Sequence, residues 1–224
     1  MRAVVFDLDD TLYPRERFVR SGLAAVAQYV DEQFGVPAVR AFTTLLKASA
    51  EETGTEFQVL CETFGLRTAI VPELLQVFRT HRPELWLAHG AIDTLQALRN
   101  QGWRIAILTN GLPPVQAAKI HALGLAQHVD HIVYAAEYAE NGKPNPAVFA
   151  EVLRRLNLAP AQCVMVGDDA NCDIRGGREA GMRTIWMRRR GDQANCGADT
   201  MLDSLAEVPA AAASLVELAR AHAA

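Results

Sequence analysis

The stretch Ala3-Val4-Val5-Phe6-Asp7-Leu8-Asp9-Asp10-Thr11-Leu12 opens on four apolar residues and then sets three carboxylates within four positions. The apolar run does not alternate, is rich in β-branched or large side chains and stops at a charged residue. That is the pattern of a short strand buried on both faces of a parallel sheet. Two later stretches repeat it: Arg104-Ile105-Ala106-Ile107-Leu108 runs into Thr109-Asn110-Gly111, and Cys163-Val164-Met165-Val166 runs into Gly167-Asp168-Asp169. These three strands are expected side by side at the sheet centre. Ile132-Val133-Tyr134 and Thr184-Ile185-Trp186-Met187 are weaker candidates that extend it.

Helical patterns separate the later strands. One runs from about Ile92 to Asn100, with Leu95 and Leu98 inward and Gly102 as its stop. A second begins at Asn145-Pro146, an N-cap residue followed by proline at the first helical position, and carries Val148, Phe149, Val152, Leu153 and Leu156 on one face. A third is expected from Asp173 to Ala180, before Gly181. Strands alternating with helices predict an α/β fold, a Rossmann-like parallel sheet core flanked by helices, with its site at the carboxyl ends of the strands. Tyr13 to Leu87 differs: Phe18, Leu23, Val26, Val30 and Phe34 recur at intervals of three to five, with almost no strand signal. Gly35-Val36-Pro37, Thr53-Gly54-Thr55, Gly65 and Val71-Pro72 divide it into about four helices. The expected division is a catalytic core of residues 1–12 and 89–224 and an all-helical cap domain of residues 13–88, inserted after the first strand and placed as a lid over its end. The alanine-rich segment Pro209–Ala224 predicts a terminal helix packed through Leu215, Val216 and Leu218.

Composition bounds the function. Half of the 224 residues are hydrophobic and 21% are charged, the balance of a globular chain with a core. The length allows one large domain or a core with an insertion. The formal net charge of −4, with 26 acidic against 22 basic residues, offers no global field for a nucleic acid polymer. The four cysteines, Cys61, Cys163, Cys172 and Cys196, form no C-x-x-C pair and imply neither a disulfide framework nor zinc, so a cytoplasmic location is expected. The opening apolar run reaches Asp7 too soon for a signal peptide, and no stretch approaches a membrane span, so no membrane partner is expected. His128 and His131 have the spacing of a metal pair but lack a third ligand.

The acidic clusters carry the chemistry. Like charges as close as Asp7, Asp9 and Asp10 raise one another's pKa unless a cation neutralises them, and hard carboxylate oxygens suit Mg²⁺. On strand alternation Asp7 and Asp9 point to one side. Asp168, at the end of another central strand, can complete the coordination begun by Asp7. Asp169 and Asp173 would then orient ligands or a lysine from outside the coordination sphere, or else sit at a helix N-terminus, where acidic residues are favourable. Thr109-Asn110-Gly111 offers a hydroxyl, an amide and close backbone approach to an anion, a small phosphate cradle that is otherwise an ordinary turn. Lys143, in Gly142-Lys143-Pro144, can neutralise a phosphate and an attacking carboxylate together.

In this order and at these strand and loop ends, the fragments resemble the haloacid dehalogenase superfamily of phosphohydrolases, over nearly the whole chain. Phe6-Asp7-Leu8-Asp9-Asp10-Thr11-Leu12 is similar to that family's first motif, Thr109-Asn110-Gly111 to its second, Lys143-Pro144 to its third, and Gly167-Asp168-Asp169 with Asp173 to its fourth. The helical segment resembles the family's cap inserted after the first motif. The resemblance implies a two-step transfer in which Asp7 attacks phosphorus and forms an aspartyl-phosphate that water hydrolyses. It implies Mg²⁺ on the Asp7 side chain, the Asp9 carbonyl and the Asp168 carboxylate, with Thr109, Asn110, Gly111 and Lys143 on the phosphate. Asp9 would protonate the leaving oxygen and later deprotonate water. The family's dehalogenases lack an acid at the place of Asp9, so a phosphatase ranks above a dehalogenase.

The expected substrate is a small phosphorylated metabolite, a nucleoside monophosphate or a sugar phosphate, with Leu12-Tyr13-Pro14 pointing to a nucleotidase-like branch or merely stiffening a hinge. Arg15, Arg17, Arg20, Phe18, Tyr29 and Phe57 in the cap are candidate specificity residues, against a plainer reading as solvated face and cap core. Arg188-Arg189-Arg190-Gly191-Asp192 is the one charge run, at the site's rim or in a solvated loop. The alternatives are a phosphomutase, which returns the phosphoryl group to its substrate, and a non-catalytic module that binds phosphate and Mg²⁺.

Overall fold

The computed structural model describes residues 1–51, 54–188 and 196–223. The chain forms two compact units, Met1–Pro14 with Trp86–Ala224, and Arg15–Leu85. These borders fall slightly inside the 13–88 expected for the insertion. Tyr13 bonds back to Asp9, and the Ala88 N–H donates to the Leu12 carbonyl at 2.9 Å, so both flanks belong with the first unit.

In the first unit six parallel strands, β1 (Arg2–Phe6), β2 (Trp103–Thr109), β3 (His131–Tyr134), β4 (Cys163–Gly167), β5 (Arg183–Met187) and β6 (Thr200–Leu202), make one sheet ordered β3-β2-β1-β4-β5-β6. The three strongest apolar runs are thus the adjacent trio β2-β1-β4. All four residues of Ala3–Phe6 are fully buried, so both faces of β1 are covered, which accounts for the missing alternation. β6 was not anticipated; three residues are too few to show a period.

The helices expected from the sequence form with two exceptions, and the helix at Pro113–Ala122 was not anticipated. The four of the second unit are α1 (Arg15–Phe34), α2 (Ala38–Glu51), α3 (Glu56–Phe64) and α4 (Val71–Thr80). The first unit holds α5 (Ala91–Asn100), α6 (Pro113–Ala122), α7 (Pro146–Leu156), α8 (Gly176–Glu179) and α9 (Val208–Ala223). α7 starts as expected: the Asn145 side chain accepts from the Ala147 N–H at 3.0 Å and Pro146 takes the first position. Its Val148, Phe149, Val152 and Leu156 bury against Ala3, Val5, Ala106, Leu108, Cys163 and Met165, each large side chain stabilising by about 1.5–3 kcal/mol before entropy is counted. α9 packs through Val208, Ala212, Leu215 and Val216, but Leu218, expected on that face, is 55% exposed.

The other exception is the helix expected at Asp173–Ala180. Helical structure begins earlier, as a wide π-type turn over Ala170–Arg175 that leads into α8. The Asp169 carboxylate starts it by accepting from the N–H groups of Asn171 and Cys172 at 2.8 and 2.7 Å.

The second unit has its own core, built on Leu23, Val26, Ala27 and Val30 of α1, Ala41 and Leu45 of α2, Phe57, Leu60 and Cys61 of α3, and Leu74 of α4. Phe18 and Phe57 set their rings edge-on to Phe78 at 5.6 and 5.9 Å, which makes them core. Tyr29 donates its hydroxyl to Glu73, and the Arg20 guanidinium lies 5.4 Å from the Phe42 ring centre. Among the described residues no helix is long and apolar enough to cross a membrane. All four cysteines are free.

Candidate active site

Register brings the predicted motifs to one edge. Phe6, the last residue of β1, pairs with Ile107 of β2 and Val166 of β4, so Asp7 emerges level with Leu108 and Gly167. The Asp7 N–H donates to the Val166 carbonyl at 2.9 Å, which extends the ladder by one step. Beyond it the chain turns sharply. Asp10 takes a left-handed φ of 58°, which Asp tolerates better than most residues, and its N–H donates to the Tyr13 carbonyl at 2.8 Å. The loop therefore doubles back, and the strand alternation that put Asp7 and Asp9 on one side stops at Phe6. The two carboxylates have separate partners.

Asp7 belongs to a buried charge cluster. Lys143 Nζ donates to Asp7 Oδ1 at 2.5 Å, to Asp173 Oδ1 at 2.7 Å and to the Leu108 carbonyl at 2.9 Å, which uses all three ammonium protons. Asp7, Asp168 and Asp173 each present an oxygen within 4.8 Å of the others, the sole such grouping of potential metal ligands among the described residues. Burial pushes the Asp7 carboxyl up to about 7; Lys143 opposes this, and Asp173 and Asp9 add to it. Burial likewise raises Asp173 despite Lys143. Burial alone would lower Lys143, but Asp173 and Asp7 more than offset it and hold its pKa above the ordinary lysine value. Three carboxylates against one ammonium leave excess negative charge in a dry place. Hard oxygen donors with that excess fit a divalent cation such as Mg²⁺.

Asp168 is steadied from two sides: its carbonyl accepts from Trp186 Nε1 at 2.7 Å, and its carboxylate accepts from Thr11 Oγ1 at 3.3 Å. Asp169 does both things expected of it. Its side chain caps the turn, while its N–H donates to Asp173 Oδ2 at 3.1 Å and so aims the carboxylate at Lys143. Gly167 is glycine because a methyl group there would overlap that same carboxylate. Gly167→Ala is accordingly expected to lower stability by about 1–3 kcal/mol in equilibrium denaturation, as overpacked buried sites do. An unchanged midpoint would show that Asp173 has room to retreat.

The Thr109-Asn110-Gly111 turn serves the lysine loop. Asn110 donates its amide to the Lys143 carbonyl at 3.1 Å and accepts the Lys143 N–H at 2.7 Å, so both ends of its side chain grip that backbone. Gly142, at φ 59°, must lack a side chain because a Cβ would strike Asn110. Gly111 takes φ 112°.

Asp9 stands in a different set of contacts. Tyr13 Oη and Lys119 Nζ donate to its Oδ1 at 2.5 and 2.6 Å, and Gln116 Nε2 donates to its Oδ2 at 2.8 Å. Burial works to raise this carboxyl, but Lys119 foremost, with Tyr13 and Gln116, holds it below the ordinary range. In the sequence Gln116 and Lys119 belong to no motif, and Leu12-Tyr13-Pro14 points to a nucleotidase-like branch or to a stiffened hinge. The available signal was a glutamine and a lysine three apart on a helix whose same flank carries Ile120 and Leu123. In the charge run, Arg188 pairs with Asp203 at 2.7 Å, whereas Arg189, Arg190, Gly191 and Asp192 lie outside the described residues. His128 and His131 join no cluster of three ligands among the described residues.

A six-stranded parallel α/β sheet with carboxylates at adjoining strand ends and a loop lysine buried among them defines a class of enzyme built for anionic chemistry at the carboxyl edge. Residues 1–181 match the family model described as haloacid dehalogenase-like hydrolase, and the chain belongs to that family. It is 31% identical over 200 residues to the glyceraldehyde 3-phosphate phosphatase of Methanopyrus kandleri, with 84% of each chain covered. It is 33% identical over 199 residues to the ribulose-1,5-bisphosphate 5-phosphatase of Halopiger xanaduensis, covering 82% of this chain and 83% of that one. The crystal structure of an HAD phosphatase from Thermococcus onnurineus superposes with a TM-score of 0.66 at 26% identity, covering 94% and 97%. Within the family the chain is a phosphomonoester hydrolase.

Proposed function

We propose that this chain is a Mg²⁺-dependent phosphatase that hydrolyses a small phosphate monoester through an aspartyl-phosphate on Asp7. The observation that carries the reading is the contact of Lys143 Nζ with both Asp7 and Asp173, beside Asp168, where the ends of β1 and β4 adjoin. Asp7, Asp168 and the Asp9 main-chain carbonyl would hold the Mg²⁺, which supplies positive charge against the phosphoryl oxygens. Lys143 neutralises Asp7 as an anionic ester approaches and shares its charge with the transferring group, while Thr109 and the backbone at Asn110 and Gly111 border the phosphate.

The Asp7 carboxylate forms the new P–O bond as the ester's P–O bond breaks, and Asp9, which first takes a proton from the monoanionic ester or from solvent, passes it to the departing alkoxide. Water then attacks phosphorus, Asp9 takes up its proton, and the Asp7 carboxylate and inorganic phosphate are released. The helical unit Arg15–Leu85 is the family's cap in this reading and supplies substrate selectivity.

The two relatives named above act, by their names, on phosphorylated small carbohydrates, which supports a sugar phosphate over a nucleoside monophosphate. The test is a panel of phosphorylated metabolites incubated with Mg²⁺ and scored for free phosphate. One phosphate released per substrate consumed is expected. Isomerised substrate without free phosphate would establish a mutase, and no turnover of any ester would leave a binding module.

A further inference from the structure

α6 puts two polar side chains where a helix normally buries apolar ones. Gln116 and Lys119 are 2% and 5% exposed, whereas His121 of the same helix faces solvent. Burying an ammonium costs several kcal/mol unless a close partner offsets it, and a lysine has no packing reason to be there. The partner is Asp9: Lys119 Nζ stands 2.6 Å from Oδ1 and Gln116 Nε2 stands 2.8 Å from Oδ2. Residues three apart share a helix face, so one rotational setting of α6 aims both donors. Gln116 also donates to Thr109 Oγ1 at 2.5 Å, which ties Asp9 to the end of β2. Tyr13, from the Asp9 loop itself, adds the third donor.

From this geometry we infer that Lys119, assisted by Gln116, is a positioning residue that fixes the Asp9 carboxyl for proton transfer to the leaving group. The inference rests on the acid–base role given to Asp9 above. The opposing account makes Lys119 a clamp that merely holds α6 on the sheet.

The two accounts separate on leaving groups. An alkyl phosphate needs a proton on its departing oxygen, whereas a dinitrophenolate leaves without one. The ratio kcat/KM reports only steps up to loss of the leaving group, so the later hydrolysis of the enzyme-bound phosphate does not blur the comparison. Asp9→Asn, Lys119→Met, Lys119→Arg, Gln116→Leu and the double variant Asp9→Asn/Lys119→Met are each assayed on both esters. For Lys119→Met the loss on the alkyl ester is expected to be roughly 30-fold or more, against less than about 3-fold on the dinitrophenyl ester, with Lys119→Arg recovering most of it. The double variant should fall within about 3-fold of Asp9→Asn alone, because both changes disable one device.

Equal losses on the two esters, or losses that multiply in the double variant, would overturn the inference in favour of the clamp. Where Lys119→Met does not fold, Lys119→Arg and Gln116→Leu carry the same comparison. If Asp9→Asn itself spares the alkyl ester, the acid–base role has failed and the inference falls with it. That result differs from a wild-type enzyme that is active while Lys119→Met behaves normally, which defeats the inference alone.

Discussion

Asp7→Asn is expected to lower phosphate release by roughly 10⁴-fold or more while leaving the fold intact, because an amide can neither attack phosphorus nor carry the phosphoryl group. The stability half of this prediction follows from the raised carboxyl. Burial lifts Asp7 from its ordinary 3.8 to about 7, so the folded chain binds this proton more tightly than the unfolded chain does. The stability that Asp7 contributes is therefore complete below pH 3.8 and is lost as pH rises through 7. At pH 8 in the presence of a chelator the ionised group burdens the fold, and the neutral amide removes that burden. The melting temperature of Asp7→Asn under those conditions should equal or exceed that of the wild type. Retained turnover would exclude Asp7 as the nucleophile, and a markedly lower melting temperature would show that the carboxylate is a net stabiliser.

Lys143→Met should damage both properties. Its ammonium is the shared partner of Asp7 and Asp173, and its side chain is only 2% exposed. Methionine fills much of the same volume but leaves two buried carboxylates without their counter-charge. Breaking such a pair costs about 3–5 kcal/mol. The loss should shrink as pH falls, since both carboxyls already bind protons more readily than usual and will do so further without the lysine. Urea denaturation at pH 8 and pH 5 checks this: a difference between wild type and variant that does not narrow at pH 5 would contradict it. Turnover should drop by at least about 10³-fold, since the residue that neutralises nucleophile and phosphoryl group is gone. Lys143→Arg should not rescue it, because a planar guanidinium cannot reproduce a point charge shared among Asp7, Asp173 and the Leu108 carbonyl.

Asp7, Lys143 and Asp168 were legible in the sequence as candidates for one site, since each stands at the end of an apolar strand or in a punctuated loop, and strand ends in a parallel sheet meet at one edge; the structure brings the three together. Asp169 stayed divided between capping and orienting, and it does both because its side chain and its N–H are separate groups. The early start of the helical turn after Asp169 was missed because a π-type turn follows neither the helix nor the strand period. Asn110 read as part of a phosphate cradle, yet its side chain is committed to the Lys143 backbone, a contact between loops thirty-three residues apart. Tyr13, Gln116 and Lys119 were invisible for a similar reason. Nothing local announces that the loop doubles back at Asp10, or which way α6 is rotated.

Hydrophobic period and strand-end chemistry, which act over a few residues, were enough by themselves to determine a parallel α/β core and a helical stretch after β1, and to single out carboxylates and a lysine as candidate site residues. Which donors surround Asp9, and which carboxylates share Lys143, was decided only by the tertiary structure. The longest of those contacts, Asp9 with Lys119 and Asp7 with Lys143, join residues more than a hundred positions apart, and hydrogen bonds and buried charges act only once packing has brought their partners within about 3 Å.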